Sequence, residues 1–207
     1  MILTVEQYNA HRHAKALDEM FRLRARIFGE RLNWDVQVVN GLERDRFDDQ
    51  NPVYLIYADD VTGAVKGSLR LLPTTGPTLL ADFFSDTVPA AANISSPTIW
   101  ECTRFCLDSS YYNKGAREEL LFASSLLVIA LGETAIKAGI ETVLGNFESA
   151  VLRLYRQLGC EVEVLGVTER YGRPVYLGSF PVSEAIIRRL KARQKQSLAP
   201  QSTAEAA

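Results

Sequence analysis

Cysteine and histidine are scarce in this chain of 207 residues, which has three of the first and two of the second. Cys102, Cys106 and Cys160 make a poor disulfide framework, and no Cys/His spacing suits a zinc site. They are expected to be reduced thiols, with Cys102 and Cys106 packed on one strand face. An excess of positive charge is missing as well. The 23 Lys and Arg against 25 Asp and Glu leave a formal net charge of −2, which argues against broad nucleic-acid binding and leaves only a local basic patch open. Long apolar runs are absent too. The most apolar window, Leu120 to Leu131, contains Ser124 and Ser125 and is soon followed by Glu133. It is expected to be too short and too interrupted to cross a bilayer, so no membrane insertion is expected. Met1 to Glu6 has no charged stretch leading into an apolar run, so no signal peptide is expected and the protein is placed in the cytoplasm.

What is present is an ordinary globular composition, 47% hydrophobic and 23% charged, long enough for one domain with its own core. Residues 14–29 predict an amphipathic helix, with Leu17, Met20, Phe21, Ile27 and Phe28 on one stripe. Residues 30–51 lack a clean period and hold Trp34 with the acids Glu43, Asp45, Asp48 and Asp49; such a segment is usually functional when it carries aromatics. Strands are expected at 53–57 and 64–72 as a hairpin around Asp59–Gly63, and at 98–107. Helices are expected at 115–138, ended by Gly139, and at 149–158, ended by Gly159. Strands at 140–144, 160–165 and 175–180 and a short helix at 183–193 complete a domain over 1–193. Residues 194–207 are polar, rich in Ala and Ser, and expected to be a disordered tail. A hairpin followed by alternating strands and helices predicts an α/β fold with a mixed sheet flanked by helices.

The chemistry shows as charge in apolar places. Arg24 falls in the middle of the first helix's core stripe, four before Phe28. A guanidinium there is costly unless paired, and Asp45 and Asp48 are candidate partners. Glu101 and Arg104 sit inside the apolar strand Trp100-Glu101-Cys102-Thr103-Arg104-Phe105. Strict alternation puts them on opposite faces, unless a β-bulge intervenes. Arg70 is a third arginine in an apolar strand. Arginines for a carboxylate and acids for an ammonium fit a zwitterionic ligand.

Arg24-x-x-x-Phe28, then Trp34, Asp45-x-x-Asp48, Arg70, Phe84 and Glu101-x-x-Arg104, with Thr103 between, resembles the acyl-homoserine-lactone synthases that make quorum-sensing signals. The resemblance covers roughly residues 1–190. It implies a fold similar to the GNAT acetyltransferases, a three-layer α/β/α sandwich. It also implies two substrates, S-adenosylmethionine and an acyl thioester on acyl carrier protein or coenzyme A, and no cofactor. The methionine amine attacks the thioester, the methionine carboxylate closes the lactone, and methylthioadenosine leaves.

On that resemblance Glu101 is the candidate base, directly or through water. Asp45 and Asp48 hold the cationic substrate and tie down Arg24. Arg24 and Arg70 order the acids. Trp34 and Phe28 face the sulfonium, and Phe84 is a further candidate for substrate binding. Arg104 and the backbone of Thr103 to Phe105 position the substrate and receive the thioester oxygen. Leu126, Leu127, Ile129, Ala130, Val143, Leu144 and Phe147 are plausible acyl lining. Gly145, rather than Thr142, occupies the position that the family ties to 3-oxo preference, which hints at unsubstituted, branched or aromatic acyl groups. Arg153 and Arg156 on one helix, with Lys114 and Arg117 at the start of another, are candidates for docking an acidic carrier. The runner-up reading is a GNAT-type N-acyltransferase acting on another small amine. Its phosphate loop is poorly matched by Tyr112-Asn113-Lys114-Gly115-Ala116-Arg117, where only the middle glycine fits.

Overall fold

The computed structural model describes residues 1–90, 92–108 and 117–198. A first strand, β1 (Ile2–Val5), leads to the helix α1 (Ala14–Arg24), which widens into a π-helical segment over Ala25–Arg31. Two short strands, β2 (Val38–Val39) and β3 (Leu42–Glu43), form a small hairpin. The strands β4 (Val53–Ala58) and β5 (Val65–Pro73) follow, then the short helix α2 (Leu79–Phe83) and strand β6 (Ile99–Leu107). The second half holds α3 (Arg117–Lys137), β7 (Thr142–Glu148), α4 (Ser149–Leu158), β8 (Glu163–Thr168), β9 (Val175–Pro181) and α5 (Glu184–Leu198).

Seven strands form one sheet in the order β1-β4-β5-β6-β7-β9-β8. Every pairing in it is antiparallel except β6 with β7, which is parallel. A parallel pair needs a crossover, and α3 lies on that connection. Alternation along β4 builds a core on both sides. Tyr54 and Ile56 pack against Met20, Phe21 and Leu23 of α1, while Val53 and Leu55 pack against Ala123 and Leu127 of α3. Helix α2 covers the later strands on the α1 side through Leu80, Leu144 and Leu177. Helix α5 packs on α3 through Ile129, Ile187 and Leu190. The result is the expected mixed sheet between two helical layers.

The sheet forks at its centre. The β6–β7 pairing covers only Ile99↔Thr142, Trp100↔Val143 and Glu101↔Leu144. Beyond it, β6 stays with β5 as far as Leu107, and β7 stays with β9 as far as Glu148. A bulge in β6 accompanies the fork. Its register against β5 shifts between Ser68 and Arg70, and Arg104 takes a left-handed φ of 54°. The extra residue turns Glu101, Thr103 and Arg104 to one side. It also separates the two cysteines expected on one face: Cys106 joins the α1-side core and Cys102 the α3-side core.

Other boundaries differ from those read in the sequence. The strand expected at 140–144 is Thr142–Glu148, the one expected at 160–165 is Glu163–Thr168, and β1 carries too short a pattern to be noticed. The last helix runs to Leu198, so five residues assigned to a disordered tail are helical. Lys114 and the rest of residues 112–116 lie outside the described residues. The apolar window thought too short for a bilayer sits in α3, whose 21 residues are long and apolar enough by length and composition alone. Here that helix packs Ala123, Leu127 and Ala135 into the interior.

Candidate active site

Arg24, Arg70 and Arg104 meet Glu43, Asp45 and Asp48 in a closed ring of alternating charge. Arg24 forks onto Asp48 at 2.8 and 2.9 Å and also bonds Glu43. Glu43 accepts from Arg104 at 2.9 and 3.1 Å, and Arg104 reaches Asp45 at 2.9 Å. Asp45 accepts from Arg70 at 2.5 and 3.0 Å, and Arg70 returns to Asp48 at 2.8 Å. Tyr54 Oη donates to Asp48 and Arg70 Nε to Thr103 Oγ1, at 2.7 and 3.0 Å. Burial works against the charges of Arg24, Asp48 and Arg70, and the geometry reverses it. For Arg24 the hydrogen bonds and charges of Asp48 and Glu43 outweigh the burial and raise its pKa. Burial likewise pushes the Asp48 carboxyl up, but Arg24 and Arg70 hold it well below the usual carboxylate range. Such two-pronged pairs fix planes as well as charges.

Local sequence explains how the acids arrive. Asp45-x-x-Asp48 is a capping box on a single 3-10 turn: Asp45 accepts from Phe47 N, and Asp48 from Asp45 N, both at 2.9 Å. Glu43 is brought in by Asn40-Gly41. Both take positive φ, 53° and 76°, and join Val39 to Leu42 in a two-residue turn. Glu43 was seen among the acids in the sequence but not assigned to the site, although Asn-Gly between short apolar pairs is a hairpin signal. Arg24 was expected to bind Asp45 and Asp48. It binds Asp48 and Glu43, and Asp45 goes instead to Arg70 and Arg104.

Glu101 stands outside the ring. Its two carboxylate oxygens accept from Leu79 N at 3.0 Å and Leu80 N at 2.6 Å, the first amides of α2. Burial raises its pKa to about 7 against the lowering pull of those amides and of Arg70 and Arg104. A carboxyl in that range exchanges protons near neutrality.

A cavity of about 1260 Å³ runs through the fork. On the α1 side its wall includes Phe28, Trp34, Asp45, Phe84, Thr103 and Arg104. Phe28 and Trp34 stack at 5.0 Å, and the Arg104 guanidinium lies 5.4 Å from the Phe28 ring centre. On the α3 side Phe105, Phe147, Tyr155 and Phe180 form a cluster with centroid distances of 4.9 to 6.0 Å. Gly145 lies at the fork, where a Cβ would come within 3.3 Å of Cys102 O, so its bareness keeps the passage wide. The volume exceeds the ~300–1,000 Å³ of a usual small-ligand pocket.

The assigned residues therefore divide. Asp45, Arg104, Thr103, Phe28, Trp34, Phe84, Phe105, Gly145, Phe147 and Arg153 line the cavity; Arg24, Asp48, Arg70 and Glu101 stand behind its wall. Of the expected acyl lining, Val143 and Phe147 touch the cavity, while Leu126, Leu127, Ile129, Ala130 and Leu144 do not. Arg153 and Arg156 are exposed on α4, and Arg117 is exposed at the start of α3. Tyr155, Phe180 and Tyr171 were not assigned; aromatic residues in strands and helices look like core until a cavity appears beside them.

An aminoglycoside 6'-acetyltransferase of type Ii shares the fold at a TM-score of 0.57 and 12% identity, over 88% of this chain and 97% of that one. The family model for autoinducer synthases matches residues 7–190, and the chain belongs to that family. An acyl-homoserine-lactone synthase from Rhizobium etli is 36% identical over 198 residues, 95% of this chain and 91% of its own length. A solved CoA-dependent acyl-homoserine lactone synthase superposes at a TM-score of 0.83 with 26% identity, covering 94% of this chain and 89% of that one. Its structures hold SAM with isopentyl-CoA and, separately, MTA.

Proposed function

We propose that the α1-side chamber holds S-adenosylmethionine, that the α3-side chamber holds the acyl chain of a thioester, and that the two react at the fork. The observation that carries this reading is the single cavity joining a charged wall to an apolar aromatic one. The methionine amine, once it has lost a proton, attacks the thioester carbonyl, and the thiolate leaves. The methionine carboxylate then attacks the carbon beside the sulfonium, the C–S bond breaks, and methylthioadenosine leaves with a neutral sulfur.

Asp45, the ring acid on the cavity wall, faces the ammonium and the sulfonium, and Arg104 faces the carboxylate. The arginine–acid ring presets both and excludes water from them. Beyond Glu101, β6 has no partner on its β7 side, so amides turned to that side around Thr103 to Phe105 are placed to receive the thioester oxygen. Glu101 is the proton acceptor. Because it stands behind the wall against α2, it works through a water rather than by direct contact. Trp34 and Phe28 offer ring faces to the sulfonium. The donor carrier, acyl carrier protein or coenzyme A, enters past Arg153 and Arg156. Both co-reactants are substrates, and the chemistry calls for no further cofactor, metal or nucleic acid. The setting is cytoplasmic, where both substrates are made.

The test is to mix purified protein with S-adenosylmethionine and short, branched and aromatic acyl thioesters on both carriers. Thiol and methylthioadenosine released in equal amounts, with an acylated lactone in the extract, is the expected result. Thiol release that needs no S-adenosylmethionine would move the assignment to a general N-acyltransferase.

A further inference from the structure

Two buried polar side-chain atoms in the described residues have no hydrogen-bond partner: Trp34 Nε1 and Asn146 Oδ1. Both residues line the cavity. A buried polar atom without a partner is costly, so two on one cavity point to a polar ligand that satisfies them. Asn146 is the better defined. Thr87 Oγ1 donates to Phe84 O at 2.6 Å, which commits its proton. Asn146 Nδ2 then donates to Thr87 Oγ1 at 3.3 Å. That chain fixes the amide plane and its polarity: the nitrogen faces Thr87, and Oδ1 is left as an acceptor. Turning the amide over would set an oxygen against an oxygen that has no proton to give.

Three features say what the acceptor awaits. Asn146 lies on β7 two residues past Leu144, where the strand has already left β6. It is therefore across the fork from the ionic ring, which suits the charged end of the substrate. The acceptor is a neutral amide, matched to a neutral donor rather than an ammonium. Flat rings line the same cavity. Phe84, which anchors Thr87, packs on Tyr171 at 5.1 Å, and both line the cavity.

We propose that Asn146 Oδ1 accepts a hydrogen bond from the exocyclic amine of the adenine of S-adenosylmethionine, and that the enzyme thereby distinguishes adenosine from deaminated nucleosides. This rests on the two-chamber reading above. Nothing in the acyl half of the cavity takes part in it.

The test is calorimetric binding of methylthioadenosine, and of the analogue lacking its 6-amino group, to the full-length protein. The unmodified protein is expected to bind methylthioadenosine roughly 10–100-fold more tightly, the loss of one buried hydrogen bond. Asn146→Leu is expected to bind both alike, near the weaker affinity. Circular dichroism and a thermal unfolding midpoint matching those of the unmodified protein guard against a Leu variant that folds badly; a well-folded Leu variant that kept the preference would overturn the assignment. Equal binding of the two compounds by the unmodified protein would overturn this assignment and leave the synthase reading intact. Binding of neither would overturn the synthase reading, and this assignment with it.

Discussion

On the α1 side of the fork the cavity wall is charged and fixed; on the α3 side it is apolar and built of rings. The α1 wall is backed by six ionised side chains, of which only Asp45 and Arg104 touch the cavity. The α3 wall has Phe105, Phe147, Tyr155 and Phe180 in edge-to-face contact. A charged ring resists change because removing one member leaves others buried and unpaired. A ring cluster can trade volume with smaller cost. The contrast suits a reaction with one invariable substrate and one that differs between enzymes.

The sharpest way to break this contrast is to remove a ring member. Arg70→Met leaves Asp45 and Asp48 each short of a buried cation and should cost about 3–5 kcal/mol of stability. Urea unfolding measures it, and activity with every acyl donor should vanish together.

Glu101→Gln comes next. The cut in kcat is expected to be about 10²–10⁴-fold, the usual worth of a general base. Its pH signature is distinct. Only ionised Glu101 accepts a proton, so the rate should climb as pH rises through about 7. Stability runs the other way. The fold favours the neutral acid, so that contribution is complete below the ordinary value of 4.5 and lost as pH rises through about 7. The Gln variant should flatten both profiles.

A smaller effect is expected on the apolar side. Phe180→Leu enlarges the chamber and should shift the ratio of kcat/KM between acyl chains differing by one or two carbons by about 10–200-fold. KM for S-adenosylmethionine should stay put. Smallest of all is Arg153→Glu at the exposed mouth. It should raise KM for an acyl-carrier-protein donor a few-fold, chiefly at low salt, with little change for a small thioester.

Much of the charged side was legible in the sequence, and little of the apolar side. Arg24, Arg70, Glu101 and Arg104 stand out because a charge in an apolar pattern contradicts its surroundings. Glu43 was missed because its strand is two residues long, too short for any period. The β6 bulge was left open as an alternative to strict alternation, and the left-handed Arg104 resolves it. Its ion pairs to Glu43 and Asp45 hold that backbone, which costs about 1–3 kcal/mol in a residue with a side chain. On the α3 side nothing contradicts anything: Tyr155 and Phe180 have the pattern of core residues, and only the fork turns them into a wall. Asn146 is likewise an ordinary polar residue near a strand end until its amide is seen to lack a donor.

The most direct test of the two-chamber account is a structure of the protein with S-adenosylmethionine and a non-transferable acyl-CoA thioether. The expected result places the nucleoside beside Trp34, Phe84 and Asn146, and the acyl chain among Phe105, Phe147 and Phe180. The amine and the carbon that replaces the carbonyl should meet between Thr103 and Gly145, about 3–3.5 Å apart. Both ligands on one side of the sheet, or an acyl chain lying against the ionic ring, would contradict it.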